Sequence, residues 1–282
     1  MKHIVLNHAD VLNILPDRNC FAHKGNFGKL LLLCGSRGYT GAAALASMGA
    51  LRSGAGLVYL GVPESIYDIM AVKLTEAVVF PLPDVGGMLS NDAVRHVASL
   101  LPKMDAVLIG PGLGQSGGTS DVVKYVLESY VGPVVLDADG INLIKNHKDI
   151  LRGRTGVTIL TPHEGEFKRL GFTLSGDRIA DAAEAARQLK AIMVLKGHNT
   201  VITNGCDCYV NETGNPGMAV GGSGDVLAGM ITSLLGQGIG PLQAAAAAAW
   251  LHGAAGDRCA ESIGQYGMLP SDLLRVLPRL MK

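Results

Sequence analysis

Gly221-Gly222-Ser223-Gly224-Asp225 sets three glycines and a serine immediately before a carboxylate. Glycine reaches backbone angles that a Cβ resists, so consecutive N–H groups can turn toward one anion. Downstream, Val226, Leu227, Met230, Ile231, Leu234 and Leu235 recur at helical spacing. Gly221, Gly222, Ser223 and Gly224 are therefore expected to form an anion cradle at the positive tip of a helix, with Asp225 in its first turn. A carboxylate there can accept the proton of an attacking hydroxyl while the amides hold charge on a moving phosphoryl group. Such chemistry needs positioning more than a strong base, so a carboxylate of ordinary pKa can serve. The same residues also make a plain helix cap, since Ser and Asp satisfy the free N–H groups of a first turn. What the rest of the chain brings to that point decides between the two.

Short apolar runs alternate with helical patterns from about residue 29 onward, the signature of βαβ units in a largely parallel sheet. The runs are Leu30–Cys34, Leu57–Val62, Ala106–Ile109, Val134–Leu136, Val157–Leu160 and Ile192–Leu195. Apolar throughout, they read as strands buried on both faces. Thr200–Ile202 and Cys208–Val210 flank Asn204-Gly205, which predicts an antiparallel hairpin. Ser90, Ser120 and Pro241 mark the expected starts of helices over Val94–Leu101, Val122–Tyr130 and Ala244–Ala260.

In an open α/β sheet, ligands bind beyond the carboxyl ends of the strands, and here those ends are unusual. They carry Gly35 to Gly41, Gly110-Pro111-Gly112-Leu113-Gly114, Asp137-Ala138-Asp139, Thr161-Pro162-His163-Glu164-Gly165-Glu166 and Lys196-Gly197-His198-Asn199-Thr200. Taken singly, the glycines are tight turns, Asp137 and Glu166 are structural, His163 is a helix cap and Lys196 is a solvated charge. Taken together, they predict one rim. Gly25 to Lys29 is too short for a Walker loop and lacks its Ser or Thr, and Gly35-x-x-Gly38-x-x-Gly41 misses the dinucleotide fingerprint, so a dehydrogenase is disfavoured.

With 24 basic and 24 acidic residues and no basic block, the sequence predicts neither a nucleic-acid nor a membrane partner. Its 282 residues read as one domain, without repeats or a long linker. The five scattered cysteines argue against a disulfide framework and for a cytoplasmic setting, and no signal peptide or bilayer-spanning run is apparent. Cys206 and Cys208 near His198 lack zinc spacing, and no metal ligands are assigned.

The set His23–Ser36, Thr40–Val58, Leu108–Gly114, Asp137–Leu143, Thr161–Phe167, Val194–Ile202, Asn211–Met230 and Leu251–Asp257 closely resembles the ADP/ATP-dependent NAD(P)H-hydrate dehydratases of the ribokinase-like superfamily. The resemblance implies an α/β, ribokinase-like fold, with a mostly parallel central sheet flanked by helices on both faces. It implies that residues 1–282 form a single such domain. It further implies repair of the S epimer of hydrated NADH or NADPH through a phosphorylated intermediate. ADP with Mg2+ would serve as donor system, with AMP and phosphate as products. Carried over by motif, Asp225 becomes the proton acceptor, and Ala42 or Ala43, Gly112 and His163 contact the hydrated dinucleotide. Lys196, Gly197, His198, Asn199, Thr200 and Gly224 contact the adenine nucleotide. A homotetramer is implied, as is a separate epimerase protein, since the chain leaves no room for one. Glu164 stands where the family usually has proline, which is expected to alter the turn or add a charge near Mg2+. A hydroxymethylpyrimidine- or thiazole-type kinase and a non-catalytic nucleotide sensor remain as alternatives.

Overall fold

In the computed structural model, which describes residues 2–282, the apolar runs become strands of one sheet. The strands are β1 (Lys29–Leu33), β2 (Leu57–Pro63), β3 (Val78–Leu82), β4 (Asp84–Val85), β5 (Met88–Leu89), β6 (Ala106–Ile109), β7 (Val134–Leu136), β8 (Thr158–Leu160), β9 (Ile192–Leu195), β10 (Thr200–Thr203) and β11 (Cys208–Asn211). Nine of them run in the order β11-β10-β9-β8-β7-β6-β1-β2-β3, while β4 and β5 form a separate ribbon. Pairing is parallel from β9 to β3, β10 lies antiparallel to β11 as Asn204-Gly205 foretells, and β10 also runs antiparallel to β9.

Because side chains alternate across a strand, each apolar run feeds two cores. Leu30, Leu32, Ala106 and Leu108 join one, and Leu31, Leu33, Val107 and Ile109 join the other. Helices Thr40–Arg52, Ser223–Gly236 and Pro241–Ile263 cover the first face, and Ala93–Leu100, Gly117–Ser129 and Arg178–Leu189 cover the second. The chain proceeds from β1 to β2 and β3 on one side and from β6 to β9 on the other. The resulting switch point, between β1 and β6, is where such sheets open a crevice.

Three features depart from the periodicity reading. Strand β3 was not among the apolar runs because Pro81 interrupts it, and a sheet edge is where a strand tolerates proline. The β4–β5 ribbon is too short to show a pattern. The helix expected after Ser120 starts at Gly117, capped by Ser116, whose Oγ accepts from the Thr119 amide at 3.1 Å. Gly117-Gly118 reads as loop by propensity, but a Cβ on Gly118 would meet the Leu89 carbonyl at 2.6 Å, so close packing selects the glycine.

The helix that begins at the cradle crosses Thr40–Arg52 with almost no space between backbones. A Cβ on Gly229 would lie 2.0 Å from the Ala46 carbonyl, and one on Gly49 would lie 2.5 Å from the Val226 carbonyl. This contact holds the helix that carries the cradle against Thr40–Arg52. Gly229→Ala is expected to destabilise the fold by about 3 kcal/mol, read by urea denaturation, because rigid backbone cannot yield as a side chain can. An unchanged midpoint would show that the crossing relaxes freely.

Candidate functional site

The cradle forms as its sequence requires. Gly222 takes φ +99°, which leads the chain into helix Ser223–Gly236, and any Cβ there would strike Leu45 Cδ1 at 2.4 Å. The Ser223 amide bonds the Val220 carbonyl at 3.3 Å, but the amides of Gly221, Gly222, Gly224 and Asp225 have no protein acceptor among the described residues. Four free donors therefore gather at the positive end of the helix.

Asp225 stands in the first turn of this helix. Burial, then the negative charges of Asp137 and Glu166, push its carboxyl from 3.8 up to about 6 against the pull of Lys196. Neighbouring acids that are distant in sequence, together with desolvation, make it a base matched to neutral pH.

Lys196, expected to be either a solvated charge or a nucleotide contact, is the hub of a buried network. Its side chain is only 19% exposed, with Nζ 2.8 Å from Asp137 Oδ1 and 3.9 Å from Glu166 Oε2. Thr161 Oγ1 donates to the same Asp137 oxygen at 2.6 Å. Burial opposes the charge of Lys196, but Asp137, Glu166 and Asp225 outweigh it and hold the ammonium above its ordinary range. A Cβ on Gly224 would lie 3.1 Å from Nζ, so the cation abuts the cradle. Next to Asp137, Ala138 takes φ +49° and ψ −115°, a strained conformation of the kind that gathers at ligand sites.

His163 is the helix cap that its position after Pro162 allows. Its Nδ1 accepts from the amides of Gly165 and Glu166 at 2.9 and 3.4 Å, which leaves Nε2 as the protonated nitrogen, 3.4 Å from Glu166 Oε1. The ring remains 55% exposed at the rim. The capping box of this turn is formed with Glu164 in place, and the Glu164 carboxylate pairs with Arg178. Gly112 packs where a Cβ would meet Ala42 Cβ at 2.8 Å, and its carbonyl accepts from Ser36 Oγ at 2.7 Å. Ala42 therefore lies against the Gly112 turn, whereas Ala43 is fully buried beneath Gly35 and presents no side chain to a ligand. Asp139 steadies the same loop by accepting from the Gly114 amide at 2.9 Å.

Lys196 to Thr200 form the turn from β9 into β10. Thr200 Oγ1 donates to the Gly197 carbonyl at 3.0 Å, Asn199 takes φ +54°, and His198 and Asn199 are exposed. The structure thus brings Asp225, Gly224 and Lys196 together with Asp137 and Glu166, two acids that stand as structural when judged singly. The available signal was their position directly after apolar runs. The pairing itself appears only once β7, β8 and β9 lie side by side.

Among the described residues no group of three or more His, Cys, Asp or Glu side chains is arranged to hold a metal. No helix of the described residues is long and apolar enough to cross a membrane.

A family model described as NAD(P)H-hydrate dehydratase matches residues 30–279. The bifunctional NAD(P)H-hydrate repair enzyme Nnr of Moorella thermoacetica is 45% identical over 275 residues, covering 95% of this chain and 52% of that protein. The chain therefore spans about half the length of that curated relative. The ADP-dependent (S)-NAD(P)H-hydrate dehydratase of Bacillus subtilis is 38% identical over 276 residues, covering 95% of this chain and 94% of that one. The solved ADP/ATP-dependent NAD(P)H-hydrate dehydratase of Bacillus subtilis, co-crystallised with ATP/Mg2+, superposes with a TM-score of 0.85 at 36% identity, covering 97% and 96% of the two chains. The mostly parallel sheet between two helical layers is the ribokinase-like fold.

Proposed function

The chain belongs to the NAD(P)H-hydrate dehydratase family, and from that premise we propose that it dehydrates the S epimer of hydrated NADH or NADPH at the expense of ADP. The observation that carries the reading is the pairing of Asp225, a half-buried carboxylate whose pKa is raised to about 6, with four unoccupied amides at the same helix tip. In the proposed sequence the hydroxyl oxygen of the hydrate attacks the β-phosphorus of ADP, and the bridging P–O bond breaks to release AMP. Asp225 takes the hydroxyl proton, and the amides of Gly221, Gly222, Gly224 and Asp225 hold the charge on the moving phosphoryl group. The ring nitrogen's lone pair then expels phosphate, and loss of the neighbouring carbon-bound proton restores the dihydronicotinamide. Lys196, abutting Gly224, is assigned with Gly197, His198, Asn199 and Thr200 to the nucleotide. Ala42, Gly112 and His163 are assigned to the dinucleotide.

Mg2+, when bound, would neutralise phosphate charge beside the Asp225, Asp137 and Glu166 carboxylates, which act on one another at this rim. The matched family supports this chemistry over a hydroxymethylpyrimidine- or thiazole-type kinase. The proposal extends to a cytoplasmic homotetramer of one domain per chain.

The protein, mixed with hydrated NADH and ADP, is expected to regenerate the dihydronicotinamide absorbance with stoichiometric AMP. No return of absorbance with ADP or ATP removes the assignment, and a faster return with ATP reverses the donor preference.

A further inference from the structure

The segment Leu251–Asp257, on the long helix Pro241–Ile263, takes no part in the chemistry above, yet it grips the whole approach to the cradle. The Trp250 carbonyl accepts from Thr213 Oγ1 at 2.9 Å. The Asp257 carboxylate accepts from the Gly214 amide at 2.8 Å and from Asn215 Nδ2 at 3.0 Å. A Cβ on Gly256 would lie 2.2 Å from Met218 Sδ, so the loop presses directly on the helix. At the end of the same loop, His252 Nε2 lies 3.3 Å from Ser223 Oγ, and these two residues are only 8% and 9% exposed.

We propose that His252 is a positioning residue of the phosphate cradle: it donates through Nε2 to Ser223 Oγ, which directs the serine hydroxyl proton toward an anion seated on the free amides, while Asp257 pins the incoming loop. The inference rests on the phosphoryl-transfer reading above. No hydrogen bond other than that with His252 reaches the Ser223 hydroxyl among the described residues. Facing an anion, the hydroxyl must donate, and its lone pairs then require a donor behind it. The imidazole can fill that place because burial, helped by the charge of Lys196, pushes its pKa down to about 4 and keeps it neutral. A neutral ring brings a hydrogen-bond donor to the helix tip without a second buried cation.

The test is a double-mutant cycle. His252→Leu and Ser223→Ala are each expected to lower kcat about tenfold with KM for ADP within about twofold, as removal of groups that orient a reacting group does. The double variant is expected to lose about the same tenfold rather than about a hundredfold, because both changes delete one linked interaction. His252→Gln, whose amide also donates, is expected to recover most of the rate. Multiplicative losses, or a lowered melting temperature with wild-type kcat, would overturn the inference. Should His252→Leu not fold, His252→Asn replaces it in the cycle, being too short to reach Ser223. If the wild-type protein itself returns no absorbance, the dehydratase proposal fails. The same cycle is then read on the affinity for inorganic phosphate, an anion of the size the cradle seats, by calorimetry, where equal weakening in both single variants and the double variant upholds the inference and independent weakening or none ends it.

Discussion

Asp225→Asn is expected to lower kcat by about 10³-fold or more while leaving ADP and dinucleotide affinity within a fewfold, since the amide keeps the shape but cannot take a proton. The same substitution is expected to raise the melting temperature by several degrees at neutral pH. The native carboxyl is raised from 3.8 to about 6, so protonation favours the folded state and ionisation opposes it. That favourable term is complete below about pH 4 and is lost as pH rises through about 6. At neutral pH the ionised group is worth up to about 3 kcal/mol of destabilisation, which an uncharged Asn avoids. The stability gain should therefore shrink as pH falls from 6 toward 4. In the wild type, kcat/KM should decline below about pH 6 as the base is protonated. Calorimetric melting and a pH–rate profile check both halves. Turnover at the wild-type rate in the variant would reduce Asp225 to a helix cap, and a lowered melting temperature would mean that its charge is compensated in the fold.

Lys196→Met should be damaging for a different reason. The methionine fills the volume, but Asp137 and Glu166, only 2% and 4% exposed, lose the cation between them. Breaking such a pair from one side costs about 3–5 kcal/mol, more than the pair itself contributes, because a desolvated charge is left behind. Urea denaturation at neutral pH should show this loss. Lys196 also lowers the pKa of Asp225, so the acid limb of the pH–rate profile should move upward in any variant that still turns over. ADP should weaken more than the dinucleotide, since the ammonium abuts Gly224. Equal weakening of the two ligands would contradict the division of sites, and an unchanged denaturation midpoint would contradict the burial of the network.

Much of the frame was legible from local pattern. Runs such as Leu30–Leu33 are apolar at every position, which only a strand covered on both faces requires, and the two cores that receive alternate residues bear this out. The Asn204-Gly205 turn and the helix after Gly222 likewise follow from backbone preferences of a few consecutive residues. Strand β3 was hidden because Pro81 is tolerated only at an edge, and edge position is a property of the sheet order.

The sequence by itself determined the parts whose physics is local: the cradle glycines, Asp225 in a first helical turn, and strand ends rich in Gly, acids, His and Lys. Only the tertiary structure decided what those parts are worth to one another. Asp137, Glu166, Lys196 and His252 lie between 27 and 88 positions from Asp225 in the chain, yet all of them meet near the cradle. The strength of charges acting on one another depends on distance through space and on the water excluded between them, and neither quantity is written in the order of residues.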